Sequence, residues 1–309
     1  MILIISDRED KSTKDVINWL NYYKKEWIIL YPEDVIELLF NEYKICFIVN
    51  GGKKYNLDEI KSVWYRRGEI NYKKLEFTNN PELDGVIYEE FLRLKEFFVY
   101  NLGKKNKINS IINVDINKLI ISDKARKHKL KTPNDYLFSN VSDLMNFLMK
   151  NKHQNFITKS INGSCSYSIN DYQIFNYTSK LSYKDIDHED TFFHSLLQNE
   201  IKKKYEIRAF FLKDQFYSMA ILSQFNIDTK TDYRLSNNKI KYIPYKLPNF
   251  ITKKLNRLMS EIELDCGSID LIYTTDNEYI FLEVNPIGQF SMVSYPCNYF
   301  LEKKIAEAL

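Results

Sequence analysis

The segment Gly267-Ser268-Ile269-Asp270-Leu271-Ile272-Tyr273-Thr274-Thr275-Asp276-Asn277-Glu278-Tyr279-Ile280-Phe281-Leu282-Glu283-Val284-Asn285-Pro286 reads as two apolar strands around a polar turn. A loop over 275–278, centred on Asp276-Asn277, closes a hairpin in which Asp270 lies directly opposite Glu283. Alternation along the second strand sends Ile280, Leu282 and Val284 to one face and Glu283 and Asn285 to the other. Like charges facing each other across strands repel, so the pair makes sense around a cation. Magnesium fits such a place: it takes oxygen ligands, few of them from protein, with phosphate oxygens and water completing the shell. Asn285 adds an amide oxygen on the same face. The plainer alternative is a solvent-facing sheet with ordinary acids. Against it stands the apolar character of the rest of the strand, which marks a half-buried element.

Upstream, two lysines suit phosphate. Lys124 lies in Ser122-Asp123-Lys124 within a helical pattern over 115–130, and Lys159 ends the apolar strand 156–159. Directly after it comes the small polar loop Asn162-Gly163-Ser164-Cys165-Ser166, whose backbone N–H groups can face phosphate oxygens. The loop lacks the spacing of a P-loop, and lysines are common in this chain, so the pair alone carries little. In Glu206-Ile207-Arg208 the two charged residues share one strand face. A glutamate accepts ribose hydroxyls and an arginine forks onto phosphate, although a surface ion pair along a strand has the same pattern. Arg66 and Arg67 follow the apolar strand Val63-Trp64-Tyr65, and Arg234 sits in Asp232-Tyr233-Arg234. Arginines so placed suit recognition of a carboxylate or phosphate.

The first third of the chain alternates strands (2–5, 27–30, 46–49, 63–65) with helical patterns (12–23, 35–40), which predicts a mostly parallel sheet with crossovers. The Gly-x-Gly-x-x-Gly fingerprint is absent after the first strand, so this lobe does not hold a dinucleotide in the usual way. Long helical periodicity follows over 81–95, then helices at 141–149, 250–262 and 298–309 and antiparallel strands at 206–212 and 216–222. The expected fold class is an α/β Rossmann-like N-terminal domain followed by an α+β catalytic part.

Composition removes several classes. Of 309 residues, 44 are basic and 41 acidic, leaving a net charge of +3 with the signs interleaved. A nucleic-acid binder usually shows a basic excess or stripe, and no nucleic-acid partner is expected. No apolar run approaches the roughly 20 residues of a membrane span, and the opening MILIISDRED has no basic region before its apolar stretch, so it reads as a buried strand and not a secretory signal. The four cysteines, at 46, 165, 266 and 297, form no C-x-x-C pair, and His188 and His194 lack the H-E-x-x-H spacing. A reduced cytoplasmic setting is the expectation.

The order of these signals along the chain (helix lysine, strand lysine with small-residue loop, Glu-x-Arg strand, Asp strand, Glu-x-Asn-Pro strand) resembles the ATP-grasp superfamily over nearly the whole length. A narrower likeness lies in Val63-Trp64-Tyr65-Arg66-Arg67, in Asn285-Pro286-Ile287-Gly288-Gln289-Phe290 and in the tail from Cys297 to Ala306. These look like the peptide maturases of graspetide pathways, the microviridin-type macrocyclases and their grasp-with-spasm relatives, which share a RimK-like core. The resemblance implies three regions: a pre-ATP-grasp domain over 1–112, a lid subdomain over 113–195 and a catalytic domain over 196–309. It implies ATP and Mg2+ as cofactors, a precursor peptide with a leader as partner, and a homodimer. It also implies ester or amide formation from side-chain carboxylates through an acylphosphate. Position by position, Lys124, Lys159, Gly163 and Ser164 would meet the phosphates. Gln198 and the backbone of Glu200 and Ile201 would read adenine. Glu206 would take the ribose, Arg208 the phosphate or acylphosphate, and Asp270, Glu283 and Asn285 the magnesium. Arg66, Arg67 and Arg234 would hold the acceptor carboxylate. An amino-acid ligase of RimK or glutathione-synthetase type, or an inactive ATP-grasp-like binding module, are the alternative readings.

Overall fold

The computed structural model describes all residues except 42–43, 74–77, 79, 162–165, 170–171, 176–177, 182–185, 187–190 and 224–239, and describes only the backbone of 166–169 and 173–175. Gly163, Ser164 and Arg234 therefore lie outside the described residues. The helices are α1 (Lys11–Tyr22), α2 (Pro81–Gly103), α3 (Lys118–Lys127), α4 (Val141–Lys150), α5 (Asn249–Glu261), α6 (Ser291–Cys297) and α7 (Leu301–Ala308). The chain divides into two compact units, one of Met1–Asp115, Glu263–Gly267 and Pro286–Leu309, the other of Ile116–Ile262 and Ser268–Asn285.

The first unit holds two four-stranded sheets. β1 (Ile2–Ile5) lies between β2 (Trp27–Leu30) and β6 (Ser62–Tyr65), with β8 (Asn106–Ile108) on the far side of β6, and all three pairings are parallel. The second sheet runs β5 (Lys54–Asn56), β4 (Lys44–Val49), β3 (Val35–Asn41) and β7 (Asn71–Tyr72). Here the sequence expectation fails twice. Residues 35–40 are not helical but form β3, antiparallel to β4, and β4 thus leaves the parallel sheet. A six-residue helix has no packing reserve, whereas Val-Ile-x-Leu-Leu-Phe suits a pleated, half-buried strand. Before it, Pro32-Glu33-Asp34 lies in a turn: the Asp34 carboxylate accepts from the Tyr31 N–H and the Asn50 amide, both at 2.8 Å. Leu3, Ile5, Phe47, Val63, Tyr65 and Phe98 meet in one core.

In the same unit the side chain of Asn109 is almost fully buried. Its oxygen accepts from the N–H groups of Asp265 and Cys266, both at 2.9 Å, and its amide donates to the carbonyls of Cys266 at 3.0 Å and Pro286 at 3.1 Å. Its backbone is left-handed, with φ 58°, a region asparagine tolerates better than most residues.

The second unit contains an antiparallel sheet in the order β13 (Ser179–Lys180), β10 (Phe156–Lys159), β14 (Thr191–Asn199) and β9 (Asp135–Asn140). Leu144 and Leu148 of α4 pack with Phe156 and Leu197 against it. A separate ribbon joins β11 (Ser166–Ile169) to β12 (Tyr172–Phe175). The five-stranded sheet runs β17 (Lys241–Tyr245), β16 (Gln215–Leu222), β15 (Lys203–Leu212), β18 (Cys266–Thr274) and β19 (Tyr279–Asn285). The tight 213–214 turn between β15 and β16 matches the sequence expectation, both of its residues having positive φ.

Candidate active site

The β18–β19 hairpin has the loop 275–278 as expected, and Asp270 pairs with Glu283. The register does not run unbroken to that point. Leu271 faces Phe281, so Leu282 is an extra, bulged residue, and it is half-buried while Phe281 is in the core. Leu282 therefore does not share the buried face with Ile280 and Val284 as the alternation predicted. A bulge bends its strand and re-aims the next side chain, here Glu283.

Four cationic or amide groups gather around the two acids. The Lys118 ammonium sits 2.6 Å from Glu283 Oε2, and the Asn285 amide donates to Glu283 Oε1 at 3.1 Å. Arg208 Nε approaches Asp270 Oδ1 at 3.7 Å, which brings the Glu-x-Arg strand beside the Asp strand. Lys159, half-buried at the end of β10, feels the field of Glu283, Asp135 and Asp270. On the neighbouring strand Glu206 is met by Lys203 and by the Ser223 hydroxyl. Gln198, buried in β14, donates to Asp135 at 2.5 Å, across the register in which those residues pair. The Glu200 carboxylate pairs with Lys180 at 2.7 Å, while its backbone N–H donates to Asn155 at 2.7 Å. That N–H is committed to the protein's own backbone.

Lys118 was not singled out from the sequence, and it is the residue of α3 that pairs with Glu283. Six residues further along α3, Lys124 points about 240° round the helix from Lys118 at 3.6 residues per turn, and among the described residues it makes no ion pair. The missed signal is electrostatic. Asn117 caps α3, accepting from the N–H groups of Leu119 and Ile120, so Lys118 is its first residue. A cation at the positive end of a helix dipole is disfavoured unless a carboxylate answers it, as Glu283 does.

The two acids titrate apart. Burial pushes the Asp270 carboxyl up to about 6, with Glu283 and Glu206 adding to the rise and Arg208 and Lys118 opposing it. Burial also acts on Glu283, but Lys118, by charge and hydrogen bond, together with Lys159 and Asn285, holds it below the usual carboxylate range. Lys159 is pushed down by burial against the pull of Glu283. Among the described residues no three Asp, Glu, His or Cys side chains are placed to hold a metal ion together. A divalent cation here has two carboxylates and the Asn285 amide oxygen, a hard-oxygen set that leaves the remaining positions to ligands from outside the protein. That fits magnesium, and the Lys118 ammonium marks where positive charge is wanted.

A pH dependence follows with a definite sign. The folded Asp270 carboxyl has a raised pKa, so in the metal-free protein it favours the folded state fully below its ordinary value of 3.8, and that contribution is lost as pH rises through about 6. A bound cation reverses this, because it needs the ionised form. Mg2+ affinity of the protein alone, followed by calorimetry, is expected to fall about tenfold per pH unit below pH 6. An affinity that is flat from pH 5 to 7.5 would remove Asp270 from the ligand set.

In the first unit, the carboxylate that Arg66 and Arg67 hold is the protein's own. Arg66 is almost fully buried. Its Nε donates to Asp10 Oδ2 at 2.9 Å and its Nη1 to the carbonyls of Ile287 at 2.8 Å and Gly288 at 3.3 Å. Arg67 reaches the other Asp10 oxygen at 3.8 Å and is about one-third exposed. Burial outweighs the pull of Asp10 on the Arg66 guanidinium and lowers it. In Asp10, Arg66 and the hydroxyls of Thr13 and Ser12 outweigh burial and hold the carboxyl down. Arg66 is thus a clamp on the loop after Pro286, and of this pair only Arg67 retains surface to offer a substrate.

This is the ATP-grasp fold, extending over the full chain. The macrocyclase MdnC of Microcystis aeruginosa MRC, solved with precursor peptide MdnA, is 24% identical with a TM-score of 0.77, covering 100% of this chain and 98% of that one. A RiPP-associated ATP-grasp ligase of Chryseobacterium gregarium, solved with ADP and a leader and core peptide, is 21% identical with a TM-score of 0.77, covering 99% and 94%. The ATP-grasp ligase PsnB with minimal precursor, Mg and ADP is 14% identical with a TM-score of 0.67, covering 99% and 96%. No protein-family model matches the chain, and no curated protein matches it.

Proposed function

We propose that this protein is an ATP-dependent, ADP-forming peptide ligase that closes rings in a ribosomally made precursor. It would join Asp or Glu side-chain carboxylates to Thr or Ser hydroxyls, or to Lys amines, and recognise a leader segment. The observation that carries the reading is the facing Asp270–Glu283 pair with Asn285, ringed by Lys118, Lys159 and Arg208 on a full-length ATP-grasp fold. The structures solved with ADP, Mg and precursor peptides supply the cofactors and partner of the proposal. Within it, residues 1–112 form a Rossmann-like pre-ATP-grasp domain, 113–195 a lid and 196–309 the catalytic part. The Gly163–Ser164 loop serves phosphate, and Arg234 joins Arg67 at the acceptor carboxylate. No described helix is long and apolar enough to cross a membrane, and a cytoplasmic setting belongs to the proposal.

The chemistry suits the residues. A carboxylate is a poor electrophile, and transfer of the γ-phosphoryl group onto its oxygen makes an acylphosphate and releases ADP. Bound at Asp270, Glu283 and Asn285, Mg2+ would neutralise charge on the transferred phosphoryl oxygens. Lys118, ion-paired with Glu283, and Arg208, beside Asp270, hold their charges in place before reaction, and Lys159 lies in the field of the same two acids. Glu206, anchored by Lys203, orients the ribose. The peptide hydroxyl or amine then displaces phosphate, so each ring costs the peptide one water.

Intact-mass spectrometry of a candidate precursor incubated with the protein, ATP and Mg2+ tests this. Successive single-water losses that require ATP are expected. A gain in mass equal to an added amino acid would place the protein with the amino-acid ligases instead. Unchanged mass without ADP would leave a binding module.

A further inference from the structure

The sheet of β13, β10, β14 and β9 turns one face to α4, where Phe156, Leu197 and Tyr136 pack with Leu144 and Leu148. Residues paired directly across antiparallel strands share a face. The register therefore sets Ile157, Gln198 and Asp135 in one row on the opposite face, with Lys159, Leu196 and Leu137 in the next. Lys159 aside, that face is apolar around a single amide–carboxylate pair.

Gln198 is only 4% exposed, and polar atoms so deeply placed are normally answered by a partner. Its Nε2 donates to Asp135 Oδ1 at 2.5 Å, while its amide oxygen meets no donor among the described residues. The pair is therefore half satisfied, and the open half is an acceptor.

Which half stays open is not arbitrary. A glutamine amide has donors at one end and an acceptor at the other, and a half-turn about its last side-chain bond exchanges them at little cost. A glutamine free to turn would answer a donor or an acceptor on a ligand equally well, and would discriminate between them hardly at all. A carboxylate offers acceptors only, so beside Asp135 the NH2 end must face the acid and the oxygen must face away. Asp135 is itself held. Its second oxygen accepts from Arg126 Nη1 at 3.3 Å, and the same nitrogen donates to the Thr132 hydroxyl at 3.1 Å.

We propose that Asp135 sets the base specificity of the nucleotide site, by locking the Gln198 amide with its oxygen outward so that a 6-amino purine is accepted and a 6-oxo purine refused. Asp135 does not touch the nucleotide; it is a positioning residue acting through Gln198. In this arrangement the apolar side chains of Ile157 and Leu196 flank the base, and the 6-amino group of adenine donates to Gln198 Oε1. Hypoxanthine or guanine brings a carbonyl oxygen to the same point, where two acceptors meet with no proton between them. The inference rests on the nucleotide-binding part of the proposed function and is independent of the peptide substrate.

Calorimetric titration of the full chain with ADP and with inosine diphosphate, in the presence of Mg2+, tests it. The two ligands differ at the purine 6-position and in the N1 proton that goes with it. The wild type is expected to bind ADP about tenfold or more tightly, because the 6-oxo ligand leaves a buried acceptor unmatched. In Asp135→Asn the neighbour can donate as well as accept, the amide is free to turn, and the preference is expected to shrink to about threefold or less, chiefly through tighter binding of inosine diphosphate. Asp135→Ser, which also can donate, is expected to do the same, and circular dichroism confirms that each variant is folded. Gln198→Met should bring ADP down to the level of inosine diphosphate. A purely structural Asp135 would weaken both ligands together and leave their ratio untouched, and that result overturns the proposal. Equal affinities in the wild type overturn it as well. A wild type that binds neither diphosphate would overturn the nucleotide reading along with it, which separates that failure from the others.

Discussion

Glu283→Ala is expected to lower kcat by about a thousandfold or more while the protein stays folded, since it removes one of two charged oxygen ligands from a site whose work is charge neutralisation. The separation of activity from stability is the informative part. In the folded protein Glu283 gains from Lys118 at 2.6 Å, but it also presses on Asp270 across the strand pair. Removing it forfeits the first interaction and relieves the second, so the loss of stability should be smaller than for a variant that breaks the more deeply buried Asp10–Arg66 pair. Glu283→Gln keeps an acceptor for Lys118 and should be nearly as inactive, because the missing quantity is charge. Calorimetric Mg2+ titration and turnover of the precursor would be read side by side. A variant with full turnover would end the metal assignment, and one that fails to fold would show that the pair serves structure.

Arg66→Ala should act the other way, through stability. It strips the partner from a buried Asp10 carboxylate and releases two backbone carbonyls at 287 and 288. Breaking a buried ion pair from one side costs about 3–5 kcal/mol, mostly from the charge left behind. Exchanging both partners at once, Asp10→Leu with Arg66→Met, leaves no such charge and should cost clearly less than Arg66→Ala alone. Urea unfolding of the three proteins decides it. If Arg66→Ala were as stable as the wild type but raised the KM for the peptide, Arg66 would be a substrate residue and the clamp would be wrong.

Legibility from sequence depended on how locally each feature is determined. The Asp270–Glu283 pairing was read from a short loop between two apolar runs, and it holds because the bulge at Leu282 makes up a one-residue offset at the loop end, where Tyr273 faces Tyr279; Arg208 comes beside Asp270 through the adjacency of β15 and β18. The bulge at Leu282 was hidden, because period-two alternation has no term for an extra residue. Lys118 was hidden because its partner lies 165 positions away. Its phase on α3 is set by the Asn117 cap. Arg66 and Arg67 looked alike as neighbours in sequence, and both reach Asp10, yet the first is almost fully buried and the second about one-third exposed. Residues 35–40 were misread since so short an apolar run has too little periodicity to separate a helix from a strand.

Asn109 ties together residues that are far apart in the chain, and the first unit is assembled from three separated stretches, two of which are the roots of the carboxylate hairpin. No single cut in the gene therefore yields two self-sufficient pieces. Crossovers between this chain and a distant relative would have to come in matched sets, at all four points where the backbone passes from one unit to the other. A chimera with one junction would carry an Asn109 from one parent facing strand roots from another. Inheritance of the hairpin is thus tied to inheritance of the segment around residue 109, and sequence drift at either is expected to be answered at the other.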